Sequence, residues 1–400
     1  MPRPEGDGAR RPGGLRAVHV GTPMWDEARR LIDEVVTPTA ALRRELHRLP
    51  EPAGAEIATS ARLREALRSL PVEALPPFLA TDVVGFLPGR GPGRNVTLRA
   101  DIDALPFDDG PRHACGHDGH AAILWGALSV LARLRDRFSG SVRFVFQPGE
   151  EIKAMAADLI AVGALRDPVP DAVFALHGWP GLPVGTVQSR IGALMAAAGF
   201  FAIRLDGRGG HGACPEAAVN PLDAAAGLCR NLAAIPRNIA AREKTVVTVC
   251  RMAGGVNANR IPDTAWMEGT TRFLDEGNGQ QIEAALKDAV AQTEAEYGVR
   301  IALDYGTPYP LLRCNADAVA TAREGLATID AGIDFREAAE PSMSSEDFAY
   351  FLREAPGAYL HIGLGKEWPS LHSRDFQFND DSIRTGLAVL VGAALHTLGA

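Results

Sequence analysis

The sequence is poor in the features that mark several large protein classes. Aromatic residues make up only 6% of it, and no apolar stretch is long enough for a membrane span or the core of a signal peptide. Its five cysteines, Cys115, Cys214, Cys229, Cys250 and Cys314, are odd in number and share no paired spacing. A disulfide framework is therefore not expected, and a reducing, cytoplasmic setting is the simpler reading. Basic residues are not in excess: 41 Lys and Arg against 49 Asp and Glu leave a net charge of −8, with the basic residues scattered. That argues against a nucleic-acid partner. Neither a Walker sequence nor G-x-G-x-x-G occurs, so the glycines of GRGGHGACP are weak evidence for nucleotide binding. With membrane, nucleic acid and nucleotide set aside, a small-molecule substrate is the expected partner.

The sequence has 400 residues, 46% of them hydrophobic and 22% charged, with 42 glycines. This is the profile of an α/β protein large enough for two domains. Residues 1–23, rich in Arg, Pro and Gly, predict a disordered leader. Helical spacing is expected over 24–49. VVGFLPG and NVTLRADIDALP predict strands, a helix follows from His120, and SVRFVFQ alternates as a strand that stops at Pro148. A helix over 153–163 and the buried strand AVFALHGW, closing on His177, complete a β-α-β-α-β rhythm. Such alternation predicts a mainly parallel sheet flanked by helices, with ligands gathered beyond the carboxyl ends of its strands. From 195 to 305 the order becomes β-α-β-β-α-β, which predicts an inserted ferredoxin-like α/β sandwich. Residues 24–194 and 306–400 then form the first domain.

The chemistry concentrates at the ends of the expected strands. HACGHDGH places Cys115 and His117 two apart on a glycine-containing turn, and thiolate and imidazole are good ligands for zinc-like ions. An isolated Cys-x-His is more often structural, with the cysteine acting as a small buried residue. Here other ligand types accompany it. Glu150 and Glu151 form a carboxylate pair at a strand end, where one can bind metal while the other faces a water. Asp101 and Asp103, two apart, are suited to orient a histidine ligand through its free N–H. His177 closes an apolar strand, and His372 stands in a polar loop. In the inserted module lie His211, Asn259 and Arg272, the last suited to a carboxylate. A rival reading makes Cys115 a covalent nucleophile beside a histidine. Another makes the chain a metal-binding scaffold without turnover.

RADIDALP, HACGHDGH, FQPGEE, ALHGWP, GGHGACP, NRIPD, SSEDFAYF and LHSRDFQFND follow one another in an order that resembles a known family. It is the co-catalytic metallopeptidase superfamily of aminoacylase and glutamate carboxypeptidase, and within it the amidohydrolase branch. That branch contains hippurate hydrolase, bacterial N-acyl-amino-acid amidohydrolases and plant auxin-conjugate hydrolases. The likeness runs from about residue 42 to 398. It implies a di-metal peptidase-like domain and a lid, with two divalent ions (Mn, Zn, Co or Ni) held by Cys115, His117, Glu151, His177 and His372. Glu150 is implied as general base, and His211 as a lid histidine that approaches the site, commonly of the partner subunit in a homodimer formed through the lid. The implied reaction is hydrolysis of N-acyl or N-aroyl amino acids by metal-activated water, with Asn259 and Arg272 gripping the substrate carboxylate. Dipeptidase or carboxypeptidase activity of the same superfamily, or a catalytically impaired relative, is the alternative. The sequence departs from the family pattern in the short PFDDGPRH segment, in Asn220 before the lid proline, and in IKAMA, which stands where a glycine-rich turn follows the two glutamates.

Overall fold

The computed structural model describes residues 23–240 and 243–400; of the leader expected over 1–23, residues 1–22 lie outside them, and Pro23 opens the first helix. Its larger unit is an eight-stranded sheet. At the centre, strands Ser141–Gln147, Asn95–Asp101, Ala172–Pro180 and Gly357–Gly365 lie side by side and parallel, so their carboxyl ends emerge together. Strand Val83–Pro88 joins antiparallel at one flank, and Thr186–Ser189 joins antiparallel at the other. Asn95–Asp101 is buried at every position, as a strand covered on both faces must be.

Helices His117–Arg133, Ala316–Ile329 and Ile383–Thr397 lie on this sheet, and Pro23–Leu46 packs across all three. Ile383–Thr397 is apolar nearly all round because it packs against three helices as well as the sheet. No helix among the described residues is long and apolar enough to cross a membrane. Ala316–Ile329 and Ile383–Thr397 meet backbone to backbone: a Cβ added at Gly325 would stand 2.2 Å from the Gly392 carbonyl oxygen.

Residues 197–309 build a second sheet with its own apolar core. In order across the sheet the strands are Thr245–Gly254, Thr264–Phe273, Ala197–Asp206 and Arg300–Tyr309, all antiparallel. This is the ferredoxin-like arrangement. Helices Pro221–Asn238 and Glu276–Tyr297 cover one face, burying Phe201, Ile203, Leu205 and Met267. The other face carries Phe200, Trp266 and Arg272. The connection to the larger unit is a two-stranded ladder in which Gly192–Met195 pairs with Leu312–Cys314.

Two local expectations change. His177 does not close its strand, which runs on to Pro180. The helix expected over 153–163 is instead two short helices, Glu150–Lys153 and Ala156–Ala161, separated by Ala154 in the left-handed region at φ 48°. Alanine thus takes the strained conformation in the IKAMA turn, where its side chain is buried.

Helix propensity favours Ala over Gly by about 1 kcal/mol, so Gly325→Ala separates local preference from packing. The variant should lose about 1–3 kcal/mol of stability, the usual cost of overpacking. A lowered thermal midpoint with unchanged far-ultraviolet dichroism is the expected measurement.

Candidate active site

The site forms where the parallel strands end. The first turn of helix His117–Arg133 is entered through Gly116 at φ 92°, and this turn presents Cys115 and His117 toward the strand ends. Asp103, just past strand Asn95–Asp101, fixes two of its neighbours. The His117 Nδ1–H faces the Asp103 carbonyl at 3.0 Å and its Oδ1 at 3.2 Å, and Asp103 Oδ2 accepts the Glu151 N–H at 3.0 Å. His117 Nε2 is thereby aimed inward. His177 donates from Nδ1 to the Gly178 carbonyl at 2.8 Å, leaving Nε2 facing Cys115 Sγ at 3.3 Å. The His372 N–H bonds the Ala114 carbonyl at 2.8 Å, placing its Nε2 3.4 Å from both Cys115 Sγ and Glu151 Oε1.

Seven of the singled-out residues therefore meet in one place: Cys115, His117, Glu150, Glu151, His177, His372 and Asp103. Two donor sets share Cys115, one with His117 and His177 and the other with Glu151 and His372, and a third joins His117 to Glu150 and Glu151. Within each set the ligand atoms lie within 4.8 Å of one another. His117 Nε2 and Glu151 Oε1 face each other at 3.7 Å, both buried and both without a hydrogen-bond partner among the described residues. Two orphaned buried acceptors in a mixed S/N/O donor set fit a divalent cation. The electrostatics agree. Burial opposes an imidazolium, yet Asp101, Asp103 and Glu151 push the His117 pKa up to about 10, so the field at this imidazole calls for positive charge.

Glu150 and Glu151 open a short helical turn past the strand end rather than sitting at it, and their carboxylates share one donor set with His117. Burial, then the nearby Glu346 and Glu151 carboxylates, raise the Glu150 pKa well above the usual carboxylate range. Burial and the same acidic surroundings raise the Cys115 thiol. That is the opposite of the electropositive setting a thiolate nucleophile needs, and it disfavours the covalent reading.

The geometry also explains why the third histidine of HACGHDGH stands apart from the donor sets that contain Cys115. His120 donates from Nδ1 to Asp101 Oδ1 at 2.7 Å and accepts the Gly178 N–H on Nε2 at 2.8 Å, so both ring nitrogens are used. Asp101 thus holds His120 directly, whereas the closer support of His117 is Asp103.

Several participants were not singled out from the sequence. Arg99, fully buried, donates to Gln147 Oε1, Asp101 Oδ2 and Asp347 Oδ1, each at 2.9 Å, and reaches Glu346 Oε1 at 3.1 Å. Its sign in the sequence is a basic residue in the middle of a strand, between Leu98 and Ala100. Glu346 also accepts from the Tyr359 hydroxyl.

The cleft above the donor atoms measures about 880 Å³ and is walled by Trp179, Met195, Phe200, Tyr309, Met343 and Leu371. Arg272 enters it from the lid sheet, half-buried, over the Phe200 ring, bonded to Thr270 and to the Thr271 carbonyl. Burial lowers its pKa, and no carboxylate among the described residues pairs with it. His211 and Asn259 are not brought to this cleft. They are exposed on a separate two-stranded ladder, Gly210–His211 with Arg260–Ile261, where Asn259 accepts the Gly212 N–H at 2.9 Å.

The model of peptidase family M20/M25/M40 matches residues 97–396. An N-acetylcysteine deacetylase of Bacillus subtilis is 33% identical over 86% of this chain and 92% of its own length. An IAA-amino acid hydrolase of Arabidopsis thaliana is 32% identical over 91% of this chain and 86% of its own. Among solved structures, a dinuclear metal binding peptidase of the M20 family from Bacillus subtilis superposes with a TM-score of 0.79 at 29% identity, covering 92% of this chain and 99% of that one. Fold, cation-demanding donor cluster and relatives agree: the chain belongs to peptidase family M20/M25/M40, in its amidohydrolase branch, and is a metal-dependent amidohydrolase.

Proposed function

We propose that the protein hydrolyses the amide bond of N-acyl or N-aroyl amino acids, releasing a carboxylic acid and an amino acid. The observation that carries this reading is Arg272, a half-buried guanidinium without a carboxylate partner among the described residues, in the same cleft as the donor cluster. A free cation set opposite a hydrolytic centre suits a substrate with a carboxylate near its scissile amide. The aromatic and thioether wall suits an apolar acyl group. The N-acetylcysteine deacetylase and IAA-amino acid hydrolase relatives act, by their names, on substrates of this class.

Cys115, His117, Glu151, His177 and His372 would hold two divalent ions, with Cys115 common to both donor sets. When bound, such ions supply Lewis acidity toward water and toward the amide carbonyl. Asp103 keeps His117 in the tautomer that offers Nε2. Glu150, in a donor set with His117 and Glu151, accepts the proton of the attacking water on its carboxylate and returns it to the leaving nitrogen. Arg272 orients the substrate by its carboxylate.

His211 and Asn259 lie outside this cleft and are exposed, so their roles require a second copy. Strand Thr245–Gly254 is a ten-residue edge of the lid sheet, with Met252 exposed on it and Trp266 on its neighbour. A long open edge of this kind is a template for pairing. We take it as the surface of a homodimer that brings His211 to the partner's cleft as a donor to the carbonyl oxygen, with Asn259 beside it.

A panel of N-acyl amino acids assayed with Mn, Zn, Co and Ni should show turnover that depends on a free α-carboxylate. Glu150→Gln should retain metal while losing at least about 10²-fold in rate, the lower range for general acid–base catalysis. Residual activity within about tenfold would place the base elsewhere.

Cys115→Ser should lose metal as well as rate, because a hydroxyl is a poorer ligand for borderline-soft ions. Metal analysis after gel filtration checks it, and full occupancy would make the cysteine structural.

Mixing His211→Ala with Glu150→Gln subunits should restore activity toward a ceiling of about one quarter of wild type, since half the dimers are mixed and each holds one complete site of two. No recovery despite demonstrated subunit exchange would confine His211 to its own subunit or remove it from the chemistry.

A further inference from the structure

The last strand of the lid reaches the catalytic centre. Arg300–Tyr309 passes an irregularity after Gly306, and Tyr309 then pairs with Ala198 at the start of the lid's first strand. The Tyr309 ring packs with Ala154 and Ala198 in a small buried cluster. Its hydroxyl donates to the main-chain carbonyl of Glu150 at 2.8 Å. One residue earlier, the Pro308 carbonyl accepts from the Tyr350 hydroxyl at 2.9 Å, and Tyr350 closes the turn Asp347–Tyr350 that begins with a carboxylate held by Arg99. Two tyrosine hydroxyls thus fasten the strand leaving the lid to the two acidic turns of the catalytic unit.

Glu150 needs such a support. It opens a helix of only four residues, flanked by left-handed Gly149 and left-handed Ala154. A helix this short has little cohesion of its own. Ala154, the strained end, is the residue that Tyr309 covers.

We propose that Tyr309 is a positioning residue for amide hydrolysis: its hydroxyl pins the Glu150 main chain, so that the seating of the lid strand and the placement of the base are a single mechanical event. This rests on the reading of Glu150 as general base. Misplacement of a reacting group by about 1 Å costs up to about 10²-fold in rate, and loss of one of several restraints should cost less.

Tyr309→Phe keeps the ring and removes the bond. The expected result is a kcat lowered about tenfold, with KM, metal content and thermal midpoint near wild type. In a Glu150→Gln background the same substitution should change the residual rate by less than about twofold, because no base remains to be placed. An unchanged kcat would overturn the proposal. So would a raised KM at constant kcat, which would make Tyr309 a substrate contact, an equal loss in the Glu150→Gln background, or a drop in thermal midpoint that accounts for the lost rate. If Glu150→Gln itself stays active, the assignment of the base fails, and this proposal with it. If Glu150→Gln is inactive while Tyr309→Phe matches wild type, only the coupling fails.

Discussion

One buried cation organises the catalytic unit. The Arg99 guanidinium is 1% exposed, and burying a charge so deeply is unfavourable unless every donor is paired. Here Asp101, Glu346 and Asp347 surround it, and their fields outweigh burial and raise its pKa. The consequences run outward in three directions. Through Asp101 and His120 the network reaches the Gly178 N–H, beside His177. Through Gln147 and Asp347 it reaches the N–H of Ala156, the last residue of IKAMA. Through Glu346 it reaches Tyr359 in strand Gly357–Gly365, two places across the sheet. A single side chain thereby registers the elements that carry the donor atoms, and removing one partner would leave an uncompensated buried charge.

Around this support the cleft is overloaded with negative groups. Asp101, Asp103 and Glu151 crowd His117, while Glu346, Glu151 and Asp347 crowd Glu150. Like charges held this close in a buried site are tolerated when cations complete them. The same excess, added to burial, raises both the Glu150 carboxyl and the Cys115 thiol.

The lid contributes differently. Its core is separate from that of the catalytic unit, and its uncovered sheet face turns Phe200 and Arg272 into the cleft. That module is joined to the catalytic unit through the ladder of Gly192–Met195 with Leu312–Cys314 and through the Tyr309 contact.

The alternation of apolar strands and helices, and the β-α-β-β-α-β order of the insert, were legible because periodicity reports local burial. Cys115, His117, Glu151 and His177 were legible as ligand types near the ends of such elements, whereas His372, in a polar loop, was singled out by the family resemblance. Periodicity does not report who pairs with whom across the chain. That Asp101 serves His120 while Asp103 serves His117 and Glu151 depends on how a strand end meets a helix start. That Glu150 and Glu151 lie on a helical turn follows from left-handed residues on both sides, one of them an alanine that no local rule would place there. Arg99 joins carboxylates up to 248 positions away, and Tyr309 meets Glu150 across 159 positions. The sequence by itself determined most element types and the order of strands and helices in both modules, since these follow from periodicity, and its motifs carried the family resemblance that implied the ligands. The pairing of buried charges and the attachment of the lid strand to the Glu150 turn were decided only by the tertiary structure, where desolvation makes each polar group find a partner from a distant segment.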